Sequence, residues 1–444
     1  MLKKIINKII FRKKLKLWEE ALVEERKPLN KLKEQQWIKF KKLLTHAYTN
    51  VPFYKKKFDQ AGITPEDIKE YTDIKKIPIT TKEELIAGFP DEVKASNLPD
   101  SRFSLNMTSG SSGVTLSYYN DTLYQNEERK GTFRLHAAIG LKLGDKIVRL
   151  RNVHIKVEGW LNKLRKVMSY TKYLDTIGMS EKNMGLYVEK IKKYKPVMIE
   201  SFSHHILALA DYMDRNNITL NVNKILIVGG SIFEDQKAKL ERLFSAKIYN
   251  EYGASECMRI AYQCEYCSNF HLDITRYFVE ILNKGKDAEI GQAGEIVLTN
   301  LYNYSMPFIR YRIKDVAVVG DKCACDRNFP VVKEIKGRIQ QIIILPNGRL
   351  LDPNMLRRKI VLEAEKISQF QIVFTKENEL EIRIIPKDNF SIQTEKNIIN
   401  NVNPLTDNSI NIKIVKVSSI QLYGNESKDM FTLTQIAPNL TEVV

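Results

Sequence analysis

A chain of 444 residues and 51.5 kDa is too long for one small binding module, and at roughly 150 residues per domain it should hold two or three domains. Hydrophobic residues at 43% and aromatics at 9% supply a sizeable core and exclude a disordered chain. The formal charge of +17 raises nucleic acid or an anionic membrane as partners. Its distribution decides against the first: residues 1–60 carry 17 Lys and Arg against 6 Asp and Glu, a local net of +11, which leaves only +6 for the remaining 384. No nucleic-acid-binding module or basic-aromatic stripe stands in the body of the chain.

From the N-terminus, Met1 to Trp18 places Leu2, Ile5, Ile6, Ile9 and Ile10 at helical spacing, with Lys3, Lys4, Lys8 and Lys14 mostly off that face. The run is too charged to cross a bilayer and lacks the apolar core and cleavage site of a secretory signal, so a cytoplasmic protein is expected. A basic amphipathic helix can lie on an anionic membrane, which makes peripheral contact through residues 1–18 the alternative to a helix packing its stripe on the neighbouring domain.

Residues 31–90 read as helices with Pro punctuation, and in Ile77 to Leu85 Thr80 or Thr81 can cap a helix with Glu83 or Glu84 in its first turn. From Lys146 to about Val319, β-rich runs such as Ile147–Leu150 and Ile225–Gly230 alternate with helical stretches such as Phe233–Phe244, the pattern of βαβ units on a largely parallel sheet. Beyond Ile335 the pattern changes to a hairpin turned at Asn347-Gly348, a helix at Met355–Lys366, strands at Gln369–Phe374 and Glu379–Ile385, a polar helix at Gln393–Val402 and a closing strand at Ile410–Val415. The expected fold is α/β: a large N-terminal domain (1–336) of mixed, largely parallel sheets and helices, and a small C-terminal α+β domain (337–444).

Four segments carry chemistry. Met107 to Thr115 (MTSGSSGVT) sets Thr108, Ser109, Ser111 and Ser112 among Gly110 and Gly113. Glycines let successive backbone N–H groups turn inward and hydroxyls add donors, so such a loop can cradle phosphate oxygens, although it lacks the Gly-Lys-Ser/Thr ending of a Walker A loop. Ile225 to Glu256 contains two glycines directly after a strand and then Tyr-Gly-Ala-Ser-Glu; Pro307 to Val316 (PFIRYRIKDV) and Gly337-Arg338 complete the set.

With these four in this order, the chain resembles the superfamily of adenylate-forming enzymes, and more narrowly the branch of phenylacetate-coenzyme A ligases and related proteins of capsular polysaccharide clusters. Val51–Tyr54 and Ile77–Lys82 resemble the N-terminal signature of that branch, and the resemblance runs from about Val51 to the end. It implies that Thr108, Ser109, Gly110, Ser111, Ser112 and Gly113 hold the β- and γ-phosphates of ATP. It sets Gly229, Gly230 and Ser231 against adenine, with Ser231 where the family often has an acid, and Tyr252 and Gly253 beside the adenine ring and acyl pocket. Glu256 is implied to coordinate Mg2+, and Asp315 the ribose hydroxyls with Arg310 or Arg312 nearby. Arg338 would begin the small lid domain, where Gln340 and Gln341 replace the usual acids of the hinge. In Gly424 to Phe431, Lys428 is the candidate lid lysine, preceded by Ser427 instead of the usual Gly. His204 and His205 fall on the helix implied to line the acyl pocket.

The chemistry of the residues agrees with these roles. A carboxylate is already a nucleophile at neutral pH, so its attack on an α-phosphate needs alignment and charge neutralisation and no catalytic triad. Magnesium takes few protein oxygens beside phosphate and water, and an aspartate accepts from both ribose hydroxyls.

Cys264-x-x-Cys267 and Cys323-x-Cys325 offer two close thiolate pairs that suit a tetrahedral zinc site. Neither lies in a nucleotide motif, so a structural Zn2+ is expected, with His271 as the alternative fourth ligand; Cys257 is set aside because it adjoins Glu256. The expected function is an ATP- and Mg2+-dependent ligase that converts a carboxylic acid to an acyl-adenylate and passes the acyl group to a thiol, with coenzyme A the family default, or to an amine. Two rival readings are an adenylylating enzyme whose AMP-bearing product is final and a non-catalytic relative attached to an anionic surface.

Overall fold

The computed structural model describes residues 2–108, 115–151, 170–177, 179–229, 232, 234–336, 343–346, 350–351, 353–374, 379–407 and 409–418. The chain forms two compact units that interleave along the sequence: residues 1–106, 116–145 and 249–337 make the first, and 107–115, 146–248 and 338–444 the second. The fold class is mixed α/β, as expected.

In the first unit the strands from residue 249 onward pair antiparallel throughout. Their order is Lys286–Asp287, Tyr277–Asn283, Ala293–Asn300, Tyr311–Val319, Val331–Lys336, Phe270–Leu272, Ala261–Tyr262 and Lys247–Tyr252. The parallel arrangement expected as far as Val319 therefore does not extend beyond Tyr252. Parallel neighbours need a crossover long enough for a helix, and between Tyr252 and Lys336 no helix stands among the described residues.

The N-terminal helix runs over Leu2–Glu25, longer than the charged run alone suggested. Its second half packs on the body: Trp18 meets Phe133 with ring centroids 5.5 Å apart, and Ala21 is fully buried. Glu24 and Glu25 then enter a buried charge network. Arg134, with no exposed surface, reaches Glu24 at 3.0 Å and Asp273 at 2.9 Å, and Arg276 reaches Asp273 at 2.8 Å. Gly131 makes room for this, because a Cβ there would stand 2.5 Å from the Arg276 guanidinium carbon. Burial alone would raise the Asp273 carboxyl, but Arg134 and Arg276 hold it well below the usual carboxylate range. Breaking a buried pair from one side leaves uncompensated charge at a cost of about 3–5 kcal/mol. Asp273→Asn is accordingly expected to lose stability of that order in urea unfolding at pH 7, and a change under about 1 kcal/mol would show the network to be dispensable.

Thr81 caps the helix Lys82–Ala87 through a capping box: its hydroxyl accepts from Glu84 N at 3.3 Å and Glu84 Oε2 accepts from Thr81 N at 2.7 Å. The preceding residue is bound to the strand Tyr311–Val319, since Thr80 N donates to Arg310 O and Arg312 N to Thr80 O, each at 2.9 Å. The Ile77–Lys82 signature thus acts as a brace on the strand that carries Asp315.

The second unit contains a parallel sheet in the order Lys224–Val228, Met198–Ser201, Ile147–Arg151, Thr171–Asp175. One face of it, with Val148, Leu150, Ile199, Ile225 and Ile227, joins residues of the helices Met184–Tyr194, Ser203–Arg215 and Glu234–Phe244 in one apolar core. The C-terminal part of the same unit follows the expected α+β order. Ile367–Phe374 and Glu379–Pro386 are antiparallel, and Asn411–Lys416 returns parallel to the latter after the helix Ile392–Val402. The expected helix Met355–Lys366 is shorter: Pro353–Ile360 is α-helical, and Val361–Lys366 forms a 3-10 stretch kinked at Glu363. There Lys366 and Asn397 bind the Glu363 carboxylate at 2.7 and 2.8 Å. Ile343–Ile344 pairs with Leu350–Leu351 as the expected hairpin requires, while Asn347 and Gly348 lie outside the described residues.

Candidate active site and metal centre

The first unit gives each of the two carboxylates singled out by sequence a tyrosine partner. The strand Lys247–Tyr252 ends at Tyr252, whose phenol donates to Asp315 Oδ2 at 2.8 Å. The chain then turns tightly, with reciprocal hydrogen bonds between Ala254 and Cys257. Gly253 is required by that turn, because a Cβ there would stand 2.6 Å from the Arg259 backbone nitrogen. The turn presents Glu256, 5% exposed, and Tyr311 donates its hydroxyl to Glu256 Oε1 at 2.9 Å. Among the described residues no donor reaches the second Glu256 oxygen, so the carboxylate retains the hard oxygen that a magnesium ion requires.

Asp315 sits on the strand Tyr311–Val319 directly after Lys314, whose φ of +66 is the left-handed region that glycine adopts more readily. Arg310 has φ +45, is nearly fully buried, and binds both Glu280 oxygens at 2.9 and 3.0 Å together with the Ile77 carbonyl. It holds the strand in place, and Arg312 pairs with Glu295 at 3.1 Å. Cys257 is fully buried, and burial pushes its thiol well above the usual range, consistent with an inert core residue.

In the second unit Thr108 is buried after the strand Phe103–Met107, and Gly229 has φ +69 at the end of Lys224–Val228. His204 and His205 open the helix Ser203–Arg215 and are both buried, their ring centroids 4.1 Å apart. Burial and the neighbouring His204 push His205 far below the usual imidazole range, so it is neutral at pH 7. Ser109 to Gly113, Gly230, Ser231, Arg338, Gln340, Gln341, Ser427 and Lys428 lie outside the described residues.

All four cysteines of the two short motifs meet, and His271 meets them. Cys264 and Cys267 follow the strand Ala261–Tyr262, and Cys323 and Cys325 lie between Tyr311–Val319 and Val331–Lys336. His271 arrives because Phe270–Leu272 pairs with Val331–Lys336, with His271 opposite Val331. The Sγ atoms of Cys264 and Cys323 are 3.6 Å apart, those of Cys264 and Cys267 3.8 Å, and those of Cys267 and Cys323 2.8 Å. Cys325 Sγ is 3.6 Å from His271 Nε2.

Zn–S bonds of about 2.3 Å in a tetrahedron put sulfurs about 3.8 Å apart, which the first two separations match. The ligand atoms of Cys264, His271, Cys323 and Cys325 all lie within 4.8 Å of one another. Burial pushes the Cys264 and Cys323 thiols up to about 11 and His271 down to about 4. The imidazole is thus neutral, the form that ligates. All five cysteines are free of disulfides.

Sequence reasoning missed Tyr311 as a partner of Glu256. The tyrosine stands inside the quoted PFIRYRIKDV segment, but nothing in that segment points to a glutamate 55 residues away.

No family model matches the chain. Among solved structures it is similar to 2-hydroxyisobutyryl-CoA ligase in complex with 2-HIB-AMP and CoA in the thioesterification state, at TM-score 0.61 and 18% identity over 91% of this chain and 90% of that one. An open conformation of that ligase matches at TM-score 0.60 and 19% identity over 91% and 92%. The fold is shared with that CoA ligase. In sequence, the chain is similar to phenylacetate-coenzyme A ligases. The Escherichia coli enzyme is 27% identical over 75% of this chain and 77% of its own length, and the Pseudomonas putida enzyme 26% over 79% and 80%. Protein CapK of Staphylococcus aureus is 21% identical over 81% and 77%. No described helix is long and apolar enough to cross a membrane.

Proposed function

We propose that this chain is an ATP- and Mg2+-dependent ligase that joins a carboxylic acid to AMP, releases pyrophosphate, and passes the acyl group to coenzyme A. The observation that carries the reading is that the two carboxylates of the motifs each accept a hydrogen bond from a tyrosine, Asp315 from Tyr252 and Glu256 from Tyr311, which supports one for ribose and one for magnesium. Asp315 accepts from the ribose hydroxyls, and Glu256 supplies an oxygen to the ion that neutralises phosphate charge. The same proposal gives Thr108 to Gly113 the terminal phosphates and Gly229 to Ser231 the adenine, on their motifs alone. Zn2+ at the Cys264, Cys267, Cys323, Cys325 and His271 cluster ties loops of the first unit together and takes no part in the reaction. Transfer to an amine is the second reading.

ATP–pyrophosphate exchange across a panel of carboxylic acids, phenylacetate included, tests the first half-reaction. Exchange that needs both Mg2+ and one of the acids is expected. Failure of every acid, with no ATP binding by calorimetry, would overturn the reading. Coenzyme A or an amino-sugar added to the productive mixture then separates the two acceptors.

The segment from residue 337 onward is proposed as a lid whose Lys428 approaches only while the adenylate forms. A group acting in one orientation affects only the matching step. Lys428→Ala is expected to slow adenylate formation by about two orders of magnitude or more and to leave consumption of a pre-formed acyl-adenylate nearly unchanged. Equal loss in both steps would remove Lys428 from this role.

A further inference from the structure

We infer that Tyr311 is the positioning residue of the magnesium site, fixing Glu256 in the orientation that leaves one oxygen for the cation; this rests on the reading of Glu256 as the magnesium ligand. Two tyrosines serve two carboxylates in a reciprocal brace. Tyr252, at the end of the strand Lys247–Tyr252, bonds Asp315 on the strand Tyr311–Val319, while Tyr311 on that second strand bonds Glu256 in the turn after the first. The ligand of the ion and the acceptor for the ribose are thereby held in one register.

The phenol is well placed for this work because its own position is over-determined. Tyr311 is 2% exposed, and the Phe308 ring packs edge-on to it with centroids 5.1 Å apart. Its backbone lies between the two hydrogen bonds to Thr80 and opposite Leu298 on the next strand. Just upstream, Tyr54 accepts from Ile309 N and donates to Pro307 O, each at 2.9 Å. A hydroxyl fixed in this way does not follow the carboxylate; the carboxylate follows it. With Oε1 engaged by the phenol and no donor on the second oxygen among the described residues, Glu256 is prepared as a one-oxygen ligand. Hydrogen-bond partners of metal-ligating carboxylates are worth about 10- to 100-fold in metal affinity.

The measurement is ATP binding by isothermal calorimetry on the full chain across a series of Mg2+ concentrations. Phenylalanine keeps the ring and its packing, so Tyr311→Phe should keep the wild-type circular dichroism. Its Mg2+ midpoint for ATP binding is expected to rise at least about tenfold, with ATP affinity recovered at saturating Mg2+. A loss of packing alone would weaken ATP binding equally at every Mg2+ concentration. Tyr252→Phe, which touches the ribose carboxylate, is expected to weaken ATP binding and leave the midpoint in place. An unchanged midpoint in a folded Tyr311→Phe overturns the inference alone, whereas a wild-type chain that binds no ATP overturns it together with the ligase reading.

A second reading needs no loss of the hydroxyl. With 3-fluorotyrosine at position 311, the fluorine resonance is expected to move when Mg2+ is added to the ATP complex and to stay still in Glu256→Gln. A resonance blind to Mg2+ in the otherwise wild-type chain would also overturn the role.

Discussion

Glu256→Gln is expected to lower the maximal rate of ATP–pyrophosphate exchange by about 100- to 1000-fold, the scale set by removing one electrostatic stabiliser of a developing anion. Glutamine has the shape of glutamate and still offers Tyr311 an acceptor, so the turn that Gly253 permits should survive. What disappears is the negative charge proposed to hold magnesium against the phosphates, so the Mg2+ midpoint for ATP binding should rise as well, and the loss of rate should persist at saturating Mg2+. Asp315→Ala should behave differently. Ribose is bound equally in the ground state and the transition state, so its loss raises KM for ATP with little change in kcat. At about 1.5–3 kcal/mol for a hydrogen bond to a charged acceptor, KM should rise by roughly ten- to a hundredfold. Both variants should keep the wild-type circular dichroism. Normal exchange in either, with a good acid, would remove that residue from the site.

Metal removal should have the second large effect, on stability. Protein purified without metal-affinity steps is expected to contain one zinc per chain by elemental analysis. A metal that binds only the folded state stabilises it by about 4 kcal/mol when present at a thousand times its dissociation constant. For a unit of roughly 150–250 residues each kcal/mol corresponds to about 2–4 °C, so a strong chelator should lower the melting temperature by about 8–16 °C. The Cys323→Ser, Cys325→Ser double variant should start from that lower value and be insensitive to chelator. Four freely titratable thiols in the native, zinc-free protein would sink the assignment. Replacing His271 by Ala and Cys267 by Ser separately identifies the fourth ligand, since the one that ligates should release zinc and the other should retain it.

How much was legible beforehand depended on whether a signal was local. The Thr81 capping box, the small α+β order beyond Ile367 and the run Lys224–Val228 were readable, because each depends on residues within one turn or one strand. The direction of pairing was not readable in the same way, since alternation with a period of two is common to both kinds of sheet. The two thiolate pairs were visible from spacing alone. His271 became a full member of the cluster only through its register opposite Val331, which no local pattern encodes. Glu256 and Asp315 stood out in their motifs as candidates, whereas Tyr311 as a partner of Glu256 was not legible. Charged residues such as Arg134 and Asp273 gave no sign of burial, because sequence alone reads a charge as solvated unless its partner is adjacent.

The placement of Glu24 and Glu25 bears on how the chain can be shortened. A basic leading helix invites removal on the assumption that it is a detachable tail. Arg134 and Arg327 are buried against these two glutamates, Arg327 at 3.2 Å from Glu25 and Arg134 at 3.0 Å from Glu24. Cutting after Glu25 strips negative charge from two guanidiniums in the interior, so such a truncation is a core substitution in its consequences. A soluble shortened form should therefore begin upstream of Trp18, whose ring already rests on Phe133, and keep every residue from there to Glu25.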